Sequence, residues 1–250
     1  MIILDKNEST LEELKHRILG FRKEDSPLIL RKACDENFTE KSWFDYLEKE
    51  CSLTPDMRHI SFEGELTQKK WWEISNQIDK SSAYAHSTTA QPFHSDNAWF
   101  ARGPEVNFFI MKKQAVSGGE NLFYPINRLL NDLEKEDEGL LQDLLHTEVT
   151  ISKGNENVSH RTPIIVTEGT GKIFWNYYRT DKSEKFVKDM CDRFFSYLSN
   201  KEESSSVMEF RCESDDAFLF NDQKILHARK SFNAFKERDR VLLQSMWYLP

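Results

Sequence analysis

Apolar positions along the chain switch between two periods, and the switches divide it into elements. In STLEELKHRIL, Leu11, Leu14 and Ile18 recur at helical spacing behind Ser9 or Thr10 as an N-cap. PLILR reads as a strand and TEKSWFDYLEKE as a second capped helix. From residue 82 to 111 short aromatic and β-branched runs predict strands. PINRLLNDLEKEDEGLLQDLLH then returns to helical spacing, with Pro125 near its start, as an insertion near 125–146. RTPIIVTEGTGKIFWNYYR is strand-like, with a hairpin turn at Gly169 and Gly171, and EKFVKDMCDRFFSYLS is an amphipathic helix. The remainder, VMEFRCESDDAFLFNDQKILHARKSF and RVLLQSMWYL, is strand-rich. No repeat, low-complexity tract or convincing linker interrupts the pattern, which predicts one domain over residues 1–250. Strands split by a helical insertion and preceded by a helical N-terminal extension point to a β-sandwich or jelly roll with helices packed outside.

Composition narrows the function classes. With 38% hydrophobic and 30% charged residues the chain reads as an ordinary soluble globular protein. A formal charge of −8 argues against nucleic acid, whose phosphates demand a basic face. No stretch approaches the roughly 20 apolar residues of a membrane helix. The start, MIILDKNEST, turns charged before a signal-peptide core can form, so no membrane partner and a cytoplasmic location are expected. Cys34, Cys51, Cys191 and Cys212 are far apart and form no C-x-x-C pair, which predicts free and mostly buried thiols.

The candidate chemistry begins with QPFHSDNAWF. In a strand, residues i and i+2 share a face, so His94 and Asp96 project together while Phe93 and Ser95 face the other way. Two such groups on a buried wall must be satisfied, by a divalent metal or by a hydrogen bond between them. Far along the chain, FLFNDQKILHARKSF supplies His227, which a jelly roll can bring to the same point. Two histidines and one carboxylate on one face of an octahedron leave three open positions, the arrangement of non-haem Fe(II) oxygenases. Arg240 heads the last apolar strand and shares a face with Leu242, Gln244 and Met246. An inward arginine needs an anion, and a diacid such as 2-oxoglutarate supplies one; a structural ion pair is the plainer reading of Arg240 alone.

PFHSD, SGGENLF, DDAFLFNDQKILHARKSF and RDRVLLQSMW, in this order over roughly residues 25 to 249, resemble the taurine dioxygenase and clavaminate synthase-like family of Fe(II)/2-oxoglutarate oxygenases. The resemblance implies an α+β protein with a double-stranded β-helix (jelly-roll) core and flanking helices, using Fe(II), 2-oxoglutarate and O2. It implies that His94, Asp96 and His227 hold iron and that Arg240 binds the distal carboxylate of 2-oxoglutarate. Arg238 is the fallback if the register slips by two. Asn121 stands where many members carry a threonine that hydrogen-bonds 2-oxoglutarate, and its amide can keep that role. Gln244 and Ala90 stand where the taurine enzymes carry an arginine and an asparagine, so a sulfonate substrate is not expected. Asp96 retains the carboxylate that halogenating relatives replace, so hydroxylation with release of succinate and CO2 is the implied outcome. Desaturation or ring closure by the same centre stays open.

Gln91, Asn97, Trp99, Trp175, Asn176 and Gln244 are the candidate substrate contacts, with Arg161 and Arg179 as possible carboxylate partners. Uncharged amides beside acidic groups point to a small polar substrate, a free amino acid or derivative. Two other readings use the same residues: a non-catalytic metal-binding jelly roll closed by a fourth ligand such as His86 or Asp222, and a zinc hydrolase. Neither accounts for Arg240. The sequence leaves the oligomeric state open.

Overall fold

A computed structural model describes residues 1–60, 66–77, 79, 83–153, 158–169 and 171–250. Residue 82, where the strand-like reading begins, and Thr170 of the predicted hairpin turn lie outside these. Among the described residues the core is a seven-stranded sheet facing a four-stranded one. In the larger sheet the strands Ile2–Asp5, Leu28–Arg31, Ala217–Asn221, Val106–Lys113 and Val241–Tyr248 lie side by side. Thr54–Asp56 and Trp72–Ser75 pair with different halves of Val241–Tyr248. The smaller sheet runs Met208–Phe210, Asn121–Pro125, Ile225–Arg229, Gln91–His94, every pairing antiparallel.

The 217–221 and 106–113 strands read as unbroken apolar runs because both of their faces are covered. Phe109, Met111, Phe218, Phe220 and Leu242 point inward and meet Phe123 and Ile225 of the smaller sheet. Phe108, Ile110, Leu219 and Trp247 point outward, beneath the N-terminal helices. Those helices are α1, Leu11–Gly20, and α2, Glu40–Asp45, which continues into a wider turn at Tyr46–Glu50. Thr10 is the cap of α1, its hydroxyl accepting from the Glu13 N–H at 3.1 Å. The N-terminal extension is not helical alone: Ile2–Asp5 pairs in parallel with Leu28–Arg31 and forms the sheet edge.

The outer face of the smaller sheet, with Phe93, Leu122, Tyr124 and Leu226, is buried under three helices. These are α3, Ile126–Glu136, α4, Glu138–His146, and α5, Lys185–Asn200. The single helical run expected over 125–146 breaks at Asp137, whose carboxylate caps α4 by accepting from the Leu140 N–H at 3.0 Å. The four cysteines are free and buried, as their spacing predicts.

Trp43 ties α2 to the larger sheet. It is fully buried, its indole N–H donates to the Ala33 carbonyl at 2.8 Å, and its ring meets Phe108 edge-on at 5.5 Å. Trp43→Ala is expected to cost about 3–5 kcal/mol, a fall in Tm of roughly 6–20 °C by calorimetry. A shift below a degree would show that the N-terminal layer is not integral to the core.

Candidate functional site

The strand Gln91–His94 alternates as expected, with Phe93 in the outer core and His94 inward. Directly across the ladder stands His227, the two rings 4.1 Å apart between centroids. Asp96 reaches them by another route than a shared strand face: the strand ends at His94, and Asp96 opens the following turn. There its backbone N–H donates to Asp222 Oδ1 at 3.0 Å. The carboxylate then points back at both rings, Oδ1 lying 3.6 Å from His94 Nε2 and Oδ2 3.7 Å from His227 Nε2. One ligand atom from each of the three residues lies within 4.8 Å of the others.

The protonation states suit a cation at their centre. The Pro92 carbonyl lies 2.9 Å from His94 Nδ1 and assigns the proton there, leaving the Nε2 lone pair directed inward. Burial, then the neighbouring His94, pulls His227 down to about 3, so its ring is neutral at physiological pH. Its buried Nδ1 has no hydrogen-bond partner among the described residues; Asp222 Oδ1 stands off at 3.7 Å. Burial works against the Asp96 anion, while the Asn107 amide, donating to Oδ2, is among the groups that hold the carboxyl below its usual range. Burial and the Asp96 charge push Asp222 the other way, so the anion resides on Asp96. Asp96 Oδ2 accepts from Asn107 Nδ2 and Gln244 Nε2, each at 2.7 Å. Two imidazole nitrogens and a fixed carboxylate are a donor set that fits iron. Among the described residues no fourth ligand joins the group, and buried His86 is engaged at Nδ1 with the Ser75 carbonyl at 2.9 Å.

The triad opens on a cavity of about 550 Å³ lined also by Asn121, Arg229 and Arg240. Arg240 is 3% exposed, and its Nε and Nη2 have no partner among the described residues. Burial, then the charge of Arg229, draws it down to about 9. Gly118 and Gly119, both at positive φ, make the close approach: a Cβ on Gly118 would fall 2.2 Å from the Ser231 carbonyl oxygen, one on Gly119 3.1 Å from Arg240 Nε. Asn121 is buried on the same wall, its amide only 3.9 Å from Cys212 Sγ and otherwise free to turn to a ligand.

Several sequence expectations are corrected by placement. Arg238 is no fallback for Arg240: its guanidinium lies at the surface, 60% exposed and paired with Glu73. Gln91 and Gln244 line the cavity, but Gln91 Nε2 sits 3.0 Å from His94 Nε2 and Gln244 holds Asp96. Asn97, Trp99 and Gln244 line a second chamber beside it. Trp175 and Asn176 line neither, because the strand expected to carry them ends at Ile173. The Trp175 ring is fully buried against Phe194, and the Asn176 carbonyl accepts from the Arg179 and Thr180 N–H groups in a turn. Arg161 pairs with Glu148 at the surface. Asn221, on the strand before the Asp222 turn, donates to the Phe21 carbonyl.

Sequence reasoning missed Asn107, Arg229 and Lys153. Asn107 is the polar residue inside the apolar run VNFFIM, at an inward position. Arg229 stands two residues after His227 and so shares its face; Nη2 donates to the Ser87 and Thr89 carbonyls at 3.0 and 2.6 Å, fastening that segment over the cavity. Lys153 carried no local signal.

Known proteins resemble this chain over most of its length. It is 25% identical over 180 residues to "Dioxygenase str8" of Strobilurus tenacellus, covering 69% of this chain and 41% of that protein. It is 23% identical over 187 residues to "Gamma-butyrobetaine dioxygenase" of Homo sapiens, covering 68% and 47%. The alignments thus span less than half the length of these curated relatives. A solved structure of asparagine oxygenase with Fe(II), hydroxyasparagine and succinate superposes with a TM-score of 0.73 at 11% identity, covering 95% of this chain and 79% of that one, a likeness of fold. Among the described residues no helix is long and apolar enough to cross a membrane. Because the model of the family described as "Taurine catabolism dioxygenase TauD, TfdA family" matches residues 7–247, the chain belongs to that family.

Proposed function

We propose that the protein is an Fe(II)- and 2-oxoglutarate-dependent oxygenase that hydroxylates an unactivated C–H bond of a small polar molecule, a free amino acid or derivative. The observation that carries this reading is the pairing, in one cavity, of the His94–Asp96–His227 triad with a buried arginine that has no counter-ion among the described residues. A hydrolase or a structural metal site needs the first and not the second.

When bound, iron with 2-oxoglutarate and O2 supplies the oxidative decarboxylation that yields succinate and CO2 and oxidises the substrate. The chain does the rest. His94, Asp96 and His227 hold the metal; the Pro92 carbonyl, Asp222, Asn107 and Gln244 fix those three side chains in orientation. Arg240 and Asn121 bind the carboxylates of 2-oxoglutarate, and the Phe109, Phe123 and Phe218 rings keep water from that end of the cavity. The four free buried thiols accord with a reducing, cytoplasmic setting.

The test is anaerobic titration of the protein with Fe(II) and 2-oxoglutarate. A weak visible charge-transfer band that His94→Ala abolishes is expected, followed by succinate release in air when a panel of amino acids and other small acids is added. Iron binding without the band would overturn the oxygenase reading in favour of a metal-binding module.

A further inference from the structure

The second chamber, about 390 Å³, shares Trp72, Asp96 and Gln244 with the first as common wall. Trp72, Trp99, Phe100 and Met246 make the walls largely apolar, and two cations enter them, Arg58 and Lys153. Arg58 is committed. Its Nε and Nη2 hold both oxygens of Asp56 at 2.9 and 2.6 Å, and the guanidinium lies 4.1 Å from the centre of the Phe100 ring.

Lys153 is not. It follows the strand Glu148–Ser152 and brings its ammonium 4.5 Å from the centre of a Trp99 ring and 5.6 Å from that of Trp72. Among the described residues no carboxylate forms an ion pair with it. Burial draws it down to about 8, the distant Asp96 charge opposing and Arg179 adding a like charge. Two further polar atoms of the chamber's residues, Trp99 Nε1 and Gln244 Oε1, are buried without a partner among the described residues. A desolvated ammonium without a counter-ion is costly to fold around, and such groups persist where a ligand completes them. An aromatic-walled chamber would otherwise suit a cationic ligand, but the ammonium already over Trp99 repels one. With one uncommitted positive charge among the described residues, the chamber matches a single negative one, which favours a carboxylate over a phosphate.

We propose that this chamber receives the substrate and that Lys153 is the counter-charge for a carboxylate on it, an inference that rests on the oxygenase reading above. Held there, the substrate extends toward the wall formed by Gln244 and by Asp96, itself one of the three residues of the triad. The free Gln244 Oε1 offers an acceptor for a substrate N–H, the pairing that an amino acid provides.

The probes are the common L-amino acids, ω-amino acids and simple carboxylic acids, each beside its carboxamide, assayed for succinate release by the iron- and 2-oxoglutarate-loaded protein. At least one acid is expected to stimulate turnover, with its amide at least tenfold weaker in kcat/KM. Lys153→Met, which keeps the aliphatic stem over Trp99, is expected to raise KM for that acid about 10- to 100-fold, with a smaller fall in kcat. It should erase the preference for acid over amide and leave the Fe(II)–2-oxoglutarate band in place; Lys153→Arg should restore part of the preference. Stimulation by amides as strong as by acids, no stimulation by any acid while the band forms, or an acid preference that survives in Lys153→Met would each overturn the carboxylate assignment. Absence of the band in the unaltered protein would instead sink the oxygenase reading on which it rests.

Discussion

Substituting His227 by alanine is expected to remove the Fe(II)–2-oxoglutarate band and to cut succinate formation by more than about 100-fold, because loss of groups that merely orient a metal ligand already costs about 10- to 100-fold. The geometry gives the position no substitute. His227 stands opposite His94 in the ladder, its Nε2 is 3.7 Å from Asp96, and buried His86 is tied to the Ser75 carbonyl. Asp222→Ala provides the scale: it leaves all three ligands and removes the acceptor of the Asp96 N–H and the carboxyl group facing His227 Nδ1, so the intermediate loss of about 10- to 100-fold belongs to it. Iron content by mass spectrometry after desalting and succinate release at saturating Fe(II) separate the two variants. If His227→Ala retained iron and turnover at the level of Asp222→Ala, the metal assignment would be wrong. Fold damage is separable as well, since the ring packs against Phe220 at 4.9 Å and a drop in Tm without loss of iron would mark packing alone.

The chemistry of this site was easier to read than its geometry. His94 and His227 could be named because the polar residues stand out among apolar neighbours, and the inner face of the smaller sheet is covered by the larger one. The same cue was present at Asn107 and at Arg229, which shares the face of His227, but neither belongs to a ligand motif. Asp96 meets the two histidines by a route that its spacing does not give: an interval of two suggests a shared strand face, whereas a turn held by Asp222 aims the carboxylate. Backbone partners decided the misses. Ile2–Asp5 has no signature of its own, because a parallel edge strand is specified by the partner it joins. Trp175 looked like a pocket aromatic from its run of neighbours, but Ser95 pairs with its backbone and the ring turns toward α5. Lys153 is invisible in the sequence, since nothing near it on the chain foretells Trp72 and Trp99.

Arg240→Met carries the second large effect. Removing one partner of a buried charge pair costs about 2–5 kcal/mol, which predicts a rise in KM for 2-oxoglutarate of roughly 30- to 5,000-fold. Iron affinity should be unchanged, because Arg240 touches none of the three ligands. The accompanying sign is less intuitive. Without cosubstrate the arginine is a desolvated charge facing Arg229, with Nε and Nη2 unpartnered among the described residues, so an apolar residue of similar length relieves a cost. The variant should therefore unfold at the same temperature as the parent or a higher one in the absence of 2-oxoglutarate, while losing the upward shift that 2-oxoglutarate gives the parent. Arg238→Ala, at the exposed pair with Glu73, should leave both the KM and that shift as they are. Thermal denaturation with and without 2-oxoglutarate, beside initial rates of succinate release, reads all of this in one set of samples. A KM for 2-oxoglutarate within threefold of the parent would remove Arg240 from the cosubstrate site and leave its burial without a reason.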